Sequence, residues 1–117
     1  MVAKLIGVVG PCGAGKSTLT ARMRELGYQV RHIAQEHSYA PSMWQRLTNP
    51  DLLVFLDASF PVATRRRNLN WTLREYQEQQ VRLLHAKEHA HLYLVTDSLS
   101  PEQVLDIVIN FLEDNSA

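Results

Sequence analysis

The chain has 117 residues with 12 basic and 12 acidic side chains, so its formal net charge is zero. We expect one domain over residues 1–117, because a chain of this length builds a single core. The balanced charge disfavours nucleic acid as a partner, and one cysteine excludes an internal disulfide. The apolar run at the N-terminus is too short for a membrane span or a signal-peptide core, so we expect a soluble, cytoplasmic protein without a membrane partner.

A glycine-rich segment follows the first predicted strand, residues 5–9, and matches the pattern GxxxxGK(S/T). In this pattern the glycines let successive backbone N–H groups point at phosphate oxygens, the lysine adds positive charge, and the serine hydroxyl ligates Mg²⁺. The helix predicted to begin there directs the positive end of its dipole at the same anion. The sequence therefore predicts a nucleoside-triphosphate site formed by Gly10, Pro11, Cys12, Gly13, Ala14, Gly15, Lys16, Ser17 and Thr18. Within it, Cys12 is either a small tolerated side chain or an oxidation-sensitive thiol.

Helical and strand-like periodicities alternate beyond this loop. Apolar residues recur at helical spacing up to Gly27, where the helix is expected to end. Residues 28–34 alternate as a second strand, and residues 41–47 can form one or two helical turns. The polar residues 35–37 would then lie at the carboxyl end of the second strand.

A third strand is predicted at residues 52–56, a continuous apolar run that is typical of a strand covered on both faces. Asp57 closes this run. Ser59 is predicted to cap a helix to about residue 68, and residues 72–75 form an S/T-x-x-E capping box that begins a longer helix to about residue 90.

The fourth strand is predicted at residues 92–95, and Ser100 begins the last helix as its N-cap. Strands separated by helices imply crossover connections and a parallel sheet. We therefore predict an α/β protein with three α/β/α layers and a four-stranded parallel sheet in the order second, first, third, fourth. Ligands bind at the carboxyl ends of the strands in such sheets. Four segments should accordingly meet at one edge: residues 10–17, 35–37, 57–59 and 96–98.

The segment NPDLLVFLDAS at residues 49–59, with the arginines at residues 65–67 after it, resembles a PDLVIFLDV…A..R…R segment. That segment belongs to the nucleotide and nucleoside kinase-like branch of P-loop proteins. The strand and helix from His91 to Leu112 resemble the closing strand and helix of the same family, so the resemblance covers nearly the whole chain. It implies a P-loop fold, ATP and Mg²⁺ as cofactors, and an ATP-dependent phosphotransferase. Such an enzyme would pass the γ-phosphoryl group to a nucleotide-like or other small acceptor.

The resemblance also implies roles for particular residues. In the family the segment after FLD, here about residues 60–75, is a lid whose arginines close over the nucleotide phosphates. The loop after the last strand contacts adenine, which places residues 96–99 beside the base. Three consecutive arginines on a helix cannot all face one ligand, so at least one should be on the surface. The assigned catalytic groups are Lys16, Arg65 and Arg66, the further nucleotide contacts are Arg67 and Asp97, and a fourth lid candidate is Arg74.

Kinases of this type usually carry a further strand that delivers an acidic residue, and residues 35–50 contain no apolar run that could form it. Either Glu36 replaces that acid, as a catalytic group and water-mediated Mg²⁺ ligand beside Ser17, or the chain binds nucleotide without efficient transfer. His37 is a candidate proton acceptor, although an exposed polar loop explains it equally. Asp57 ranks below Glu36 because it leads into the lid. The edge that the missing strand leaves favours self-association into a homodimer.

Three alternatives stay open or are disfavoured. Residues 39–46 either clamp an acceptor with aromatic and arginine side chains or pack their short helix onto the sheet. Residues 85–89 match the HxxEH pattern of inverted zinc proteases, but surface histidines are the simpler interpretation in so short a chain. No NKxD-type guanine motif is present, which disfavours a GTPase. The alternative to a kinase is a nucleotide-binding or slowly ATP-hydrolysing switch that acts through a protein partner.

Overall fold

The computed structural model describes residues 4–114 and shows a mixed α/β chain, as predicted. The strands are β1 (Leu5–Val9), β2 (Gln29–His32), β3 (Leu52–Asp57) and β4 (Leu92–Val95). The α-helices are α1 (Lys16–Glu25), α2 (Met43–Leu47), α3 (Phe60–Arg67), α4 (Leu73–His89) and α5 (Pro101–Asp114). A single 3-10 turn covers Gln35–His37. No helix within residues 4–114 is both long enough and apolar enough to cross a membrane.

The four strands form one parallel sheet in the order β2-β1-β3-β4, which confirms the predicted strand number and order. Val8 of β1 pairs with His32 on one side and with Val54 on the other, so β1 lies between β2 and β3. The chain leaves β1 for β2 on one side and later returns to β3 on the opposite side. The carboxyl end of β1 is therefore the point where the strand order switches, and open parallel sheets bind ligands at that point.

Side chains of β3 alternate between two clusters of buried residues. Val54 and Leu56 pack with residues of α1 and α5, whereas Leu53 and Phe55 pack with residues of α2 and α4. Successive side chains of a strand point to opposite faces, so the two clusters lie on opposite faces of the sheet. This double covering explains the uninterrupted apolar run in the sequence of β3.

Side-chain caps were predicted at the start of α3, α4 and α5, and those of α4 and α5 make the expected hydrogen bonds. The Oγ1 atom of Thr72 accepts the Glu75 N–H at 3.2 Å, and the Glu75 carboxylate accepts the Thr72 N–H at 3.2 Å, which completes the capping box of α4. Ser100 and Gln103 make the same reciprocal contacts at 3.1 and 2.8 Å before α5. Ser59 lies at the N-cap position of α3, but its side chain makes no capping hydrogen bond, so this part of the prediction was wrong.

Strand β2 is shorter than the predicted residues 28–34 because both of its ends belong to other structures. The Tyr28 N–H donates to the Met23 carbonyl at 3.1 Å and still closes the end of α1. At the other end the chain turns into the 3-10 helix, where the His37 N–H donates to the Ala34 carbonyl at 3.1 Å. The Ile33 N–H still donates to the Val8 carbonyl of β1 at 3.0 Å, so sheet pairing gives way to local hydrogen bonds before residue 29 and after residue 33.

Residues 33–51 contain the 3-10 turn and α2 but no strand, as predicted. The fully buried Gln35 side chain holds this segment in place. Its Oε1 atom accepts the Trp44 N–H at 2.9 Å, and its Nε2 atom donates to the carbonyls of Ala40 at 2.9 Å and Arg82 at 3.3 Å. One amide group thus ties the 3-10 turn to both α2 and α4.

Helix α2 packs against the sheet through its aromatic residue. Trp44 is 5% exposed and belongs to the same buried cluster as Phe55 and Leu83, with Met43 packed against it. Tyr39 is 85% exposed, and its ring lies 4.5 Å from the Arg82 guanidinium. Of the two interpretations of residues 39–46, packing onto the sheet is the one that describes Met43 and Trp44.

Candidate functional site

A cavity of about 460 Å³ is lined by residues from the carboxyl ends of the strands. Its walls come from the glycine-rich loop, the start of α1, the end of β2, the 3-10 turn, α3 and the loop after β4. These are largely the segments that the parallel-sheet argument brings to one edge. The predicted site residues in the lining are Cys12, Gly13, Gly15, Lys16, Ser17, Thr18, Glu36, His37, Arg66, Arg67, Thr96 and Leu99.

The glycine-rich loop passes too close to its neighbours for side chains at two positions. A Cβ atom at Gly10 would lie 1.9 Å from the Leu56 carbonyl oxygen, and one at Gly13 would lie 2.6 Å from the Ala63 carbonyl oxygen. Gly15 has φ of 100° and no neighbouring atom within 4 Å of such a Cβ, so its need for glycine is conformational. The glycines therefore allow the loop to pack closely against β3 and α3, and the opposite side of the loop faces the cavity.

The Lys16 side chain folds back onto the glycine-rich loop that precedes it. Its Nζ atom donates to the carbonyl oxygens of Gly10 at 2.6 Å and Pro11 at 2.9 Å, and it lies 2.9 Å from Glu36 Oε2. These three acceptors match the three N–H bonds of an ammonium group. Lys16 is only 5% exposed, so its charge is held by the loop and by one carboxylate.

Gly10, Pro11 and Ala14 are predicted site residues that lie behind the cavity lining. The first two turn their carbonyl groups to Lys16. Ala14 is buried, and its carbonyl oxygen accepts the Thr96 hydroxyl at 2.9 Å. These three residues shape the loop and do not face the cavity.

Glu36 lies beside Lys16. This is where the sequence analysis expected a replacement for the acidic residue of the missing strand. The residue is 3% exposed, and its Oε2 atom takes part in the ion pair with Lys16. Its Oε1 atom is buried and has no hydrogen-bond partner among the residues that the structure describes. The Arg82 guanidinium fixes the backbone by donating to the Glu36 carbonyl at 3.2 Å. A buried carboxylate oxygen needs a hydrogen-bond donor or a cation, and at Oε1 the described residues supply neither.

The residues present fit a magnesium ion bound together with a polyphosphate. Mg²⁺ usually keeps several waters and takes one or two protein oxygens in addition to phosphate oxygens. Ser17 lines the cavity and carries a hydroxyl oxygen, and Glu36 offers the unpartnered Oε1 atom. The protein would therefore supply two oxygen ligands, and phosphate oxygens and water would supply the remaining ligands of the magnesium ion.

The arginines of α3 separate into two groups. The Arg66 guanidinium donates to Thr96 Oγ1 at 2.8 Å, to the Thr96 carbonyl and to the Gly13 carbonyl at 3.3 Å, and Arg67 also lines the cavity. Arg65 is exposed and lies outside the lining, because neighbouring residues on a helix point about 100° apart. Its predicted catalytic position is therefore not seen in this structure.

Two other predicted residues also lie outside the cavity lining. Arg74 pairs with Glu78 at 3.4 Å on the exposed side of α4. The Asp97 Oδ1 atom accepts the Ser59 N–H at 2.9 Å, so this carboxylate fixes the backbone at the N-cap position of α3. Asp97 therefore has a structural partner where the sequence predicted a nucleotide contact.

Asp57 is directed away from the cavity, toward α4 and β4. Its carboxylate accepts Gln80 Nε2 at 3.0 Å and the Tyr93 hydroxyl at 2.5 Å. Burial, and then the hydrogen bond to Asp57, raise the pKa of the Tyr93 phenol. These contacts agree with the lower rank that the sequence gave Asp57 as a magnesium ligand.

His32 lines the cavity but was not singled out in the sequence. Desolvation lowers the pKa of its imidazole, and the positive charge of Lys16 lowers it further, while Glu36 opposes them. The signal that could have found it is the strand register, since His32 pairs with Val8 just before the glycine-rich loop.

Gln79 is a second residue that sequence reasoning missed. Its Oε1 atom accepts the Cys12 N–H at 3.0 Å, and its Nε2 atom lies 3.3 Å from Cys12 Sγ. The residue is 6% exposed and shares a face of α4 with the buried Leu83 and Ala86. That helical spacing indicates burial, but nothing local indicates a partner 67 residues away.

The histidines of the HxxEH pattern are used in packing. The Trp44 Nε1–H donates to His85 Nδ1 at 3.0 Å, and the rings of His85 and His89 stack with centroids 4.3 Å apart. Glu88 is exposed. This arrangement supports the interpretation of residues 85–89 as ordinary helix residues.

No protein-family model matches the chain, and no curated protein matches it. The resemblance to nucleotide kinases therefore rests on the glycine-rich loop and on the segments around β3 and β4. Lys16 and Glu36 in the cavity wall supply the chemistry from which a function can be inferred.

Proposed function

We propose that the chain binds Mg²⁺-ATP in this cavity and is an ATP-dependent kinase of a small molecule, with a three-layer P-loop fold. The observation that carries the proposal is the buried pair of Lys16 and Glu36, 2.9 Å apart, at a glycine-rich loop that opens a helix. Phosphoryl transfer requires mainly positioning and positive charge around the moving group. Lys16, Arg66 and Arg67 bring that charge to the same cavity.

Triphosphate binding would use groups that the fold already directs into the cavity. The first N–H groups of α1 have no acceptor within the helix and are oriented toward an anion at its N-terminus. The Lys16 ammonium would exchange the Gly10 and Pro11 carbonyls for phosphate oxygens. Magnesium, when bound, neutralises phosphate charge, and the chain would hold it through Ser17 and Glu36 Oε1.

The two arginines that line the cavity would have different tasks. Arg66 joins α3 to the loop after β4 and to Gly13, so it positions the lid against the phosphate loop. Arg67 is the arginine that we assign to the phosphates. Arg65 and Arg74 have no part in the proposed site.

A nucleotide-dependent switch is the second candidate, and the packing of Trp44 favours it. Trp44 is buried in the core, and Tyr39, although exposed, lies outside the cavity lining, so neither aromatic side chain of residues 39–46 is placed to clamp an acceptor in the cavity. The cavity is within the range of about 300–1,000 Å³ that is usual for small-molecule sites, which suits one nucleotide. A switch would bind ATP in the same place and transmit its state to a protein partner.

Calorimetric titration with Mg²⁺-ATP tests the binding site. We expect Lys16→Ala to weaken binding by about 100-fold, because it removes charge-assisted contacts to the phosphates. Lys87→Ala is the matched control, since Lys87 is exposed on α4 and outside the cavity lining. Ser17→Ala leaves the Lys16–Glu36 pair in place and should reduce the magnesium dependence of binding. ATP affinity that survives Lys16→Ala in a folded protein would refute the site.

Acceptor-dependent turnover separates the two candidates. A kinase should consume ATP faster when its acceptor is supplied, whereas a switch should bind ATP and respond to no acceptor. We therefore expect a screen of nucleosides, nucleotides and other small hydroxyl compounds with labelled ATP to give a labelled product. A screen in which bound ATP is never transferred would favour the switch.

A further inference from the structure

Three side chains with metal-binding atoms meet at the rim of the cavity. Cys12 Sγ lies 3.6 Å from His37 Nε2, and the same nitrogen lies 3.8 Å from Glu36 Oε2. One donor atom from each residue lies within 4.8 Å of the others. Among residues 4–114, these three residues form the group of His, Cys, Asp or Glu side chains whose ligand atoms lie close enough together to hold one metal ion.

These separations match those of atoms around one tetrahedral zinc ion. With Zn–S near 2.3 Å and Zn–N near 2.0 Å, a tetrahedral angle puts sulfur and nitrogen about 3.6 Å apart and nitrogen and oxygen about 3.3 Å apart. The Cys12–His37 separation agrees with the first value, and a small rotation of the exposed His37 ring brings the second into range. Thiolate, imidazole and carboxylate are the three ligand types that proteins offer zinc.

The surroundings of the cluster also suit a metal. Glu36 is 3% exposed, and its Oε1 atom has no hydrogen-bond partner among the described residues, so the carboxylate has a second oxygen for a cation beside the Oε2 atom that contacts Lys16 and lies 3.8 Å from His37 Nε2. Gln79 holds the backbone of Cys12 at 3.0 Å, and its Nε2–H group donates to the sulfur at 3.3 Å. A hydrogen-bond donor at the sulfur stabilises thiolate charge and orients the ligand.

We propose that Cys12, Glu36 and His37 form a zinc site with three protein ligands and a fourth position open to water or to a further ligand. On binding, the S–H bond of Cys12 breaks, an S–Zn bond forms, and the proton leaves to solvent. His37 binds through neutral Nε2. No oxidant or reductant is required.

Zinc at this site would oppose nucleotide binding, and this consequence rests on the proposed function. The zinc ligands include Cys12 of the phosphate loop and Glu36, the carboxylate assigned to magnesium. Zinc that holds these two residues together fixes the loop and removes Oε1 from the magnesium shell. Zinc-bound and Mg²⁺-ATP-bound forms therefore exclude each other.

Titration with Co²⁺ as a spectroscopic substitute for zinc tests the site directly. We expect one equivalent to bind the reduced wild-type protein with a thiolate-to-cobalt charge-transfer band, and zinc to displace it. Cys12→Ser should abolish the band, and His37→Ala should weaken metal binding by at least about tenfold. His89→Ala is the matched control, because His89 is an exposed histidine outside the cluster.

Several outcomes would overturn the zinc site. They are a wild-type protein that binds no cobalt, a Cys12→Ser variant that keeps the wild-type affinity, and a His89→Ala variant that loses as much affinity as His37→Ala. The last outcome would place the metal on the stacked histidines of α4. Circular dichroism of each variant separates lost ligands from lost folding.

The same proteins test the exclusion of nucleotide. In a buffer that fixes free zinc with a chelator, raising zinc should weaken Mg²⁺-ATP binding to the wild type, whereas His37→Ala, compared with its own zinc-free affinity, should lose much less. Undiminished ATP binding to the zinc-loaded wild type would refute the exclusion and leave the zinc site standing. A protein that binds cobalt but no ATP at any zinc level would refute the proposed function alone.

Discussion

At the scale of single residues, the Lys16–Glu36 pair combines binding chemistry with stability. Burying two charges is expensive, and their attraction repays that cost only when the remaining hydrogen bonds are made. Lys16 makes all of its bonds, whereas Glu36 keeps one oxygen without a partner in the described residues. The uncompensated oxygen means that the pair as it stands does not make every contact that its burial requires, which is the reason for assigning a cation to it in the proposed function.

His32 should make the protein less stable in mild acid. Its pKa in the folded protein lies below the ordinary value of 6.5, mainly because of desolvation and then because of Lys16. The unfolded chain therefore binds the proton more readily, so the stabilising contribution is complete above pH 6.5 and is lost as the pH falls through the folded pKa. We expect the free energy of unfolding to fall more steeply between about pH 7 and pH 5 in the wild type than in His32→Asn.

Urea denaturation of both proteins across this range measures the difference, and an NMR titration of the His32 ring reports the pKa itself. The other histidines are the same in both proteins, so their contributions cancel in the comparison. Equal slopes for the two proteins, or a ring pKa at or above 6.5, would contradict the prediction.

The site residues that the sequence identified are those whose chemistry is local. The spacing of glycines with Lys16 and Ser17 is enough to predict a phosphate loop, and the end of a parallel strand is enough to predict that Glu36 lies near it, as the structure shows. The direction of each arginine on α3 depends on how that helix docks, so Arg65 could not be separated from Arg66 in advance. Gln79 reaches Cys12 across 67 residues, and no local pattern encodes such a contact.

At the scale of elements, the 3-10 turn depends on Gln35. Its side chain makes three hydrogen bonds, to Trp44, Ala40 and Arg82, and is fully buried. Gln35→Ala would leave the buried Trp44 N–H without its acceptor and would remove the bonds from the amide to the Ala40 and Arg82 carbonyls, so we expect a loss of about 2–4 kcal/mol in the free energy of unfolding. Urea denaturation followed by tryptophan fluorescence measures it.

Gln45→Ala is the matched control for that change. Gln45 is exposed on α2, so the substitution should alter the free energy of unfolding by no more than about 0.5 kcal/mol. Equal stabilities of the two variants would show that the segment between β2 and β3 is held by other contacts.

Elements with strong local signals were predicted well, and those fixed by tertiary contacts were not. The apolar run of β3 and the capping box at Thr72 and Glu75 are local, and both are present. The end of β2 depends on the 3-10 turn, which depends in turn on Gln35 and its partners in α2 and α4. Sequence periodicity contains no information about those partners.

At the scale of the whole molecule, the sheet has two edges with different surfaces. Strand β2 exposes Gln29 and Arg31, and the Arg24 guanidinium donates to the Val30 carbonyl at 3.2 Å. Charged residues and an occupied carbonyl discourage strand pairing between chains. Strand β4 instead exposes Tyr93 at 43% and Val95 at 47%. The homodimer at the edge near β2 stays a prediction, and this edge is the more protected of the two.

Ligand binding to the folded chain should be visible in its thermal stability. A ligand at about 100 times its dissociation constant stabilises the native state by about 2.7 kcal/mol. In domains of 60–100 residues, 1 kcal/mol of added stability raises the midpoint Tm by about 4–8 °C, and the rise is somewhat smaller in longer chains. We therefore expect saturating Mg²⁺-ATP to raise the Tm of this chain by about 10 °C. Differential scanning calorimetry of the wild type and of Lys87→Ala should show the same rise, whereas Lys16→Ala should show almost none. A rise in Lys16→Ala equal to that of the wild type would mean that ATP stabilises the protein from a different surface, and the cavity beside Glu36 would lose its assignment.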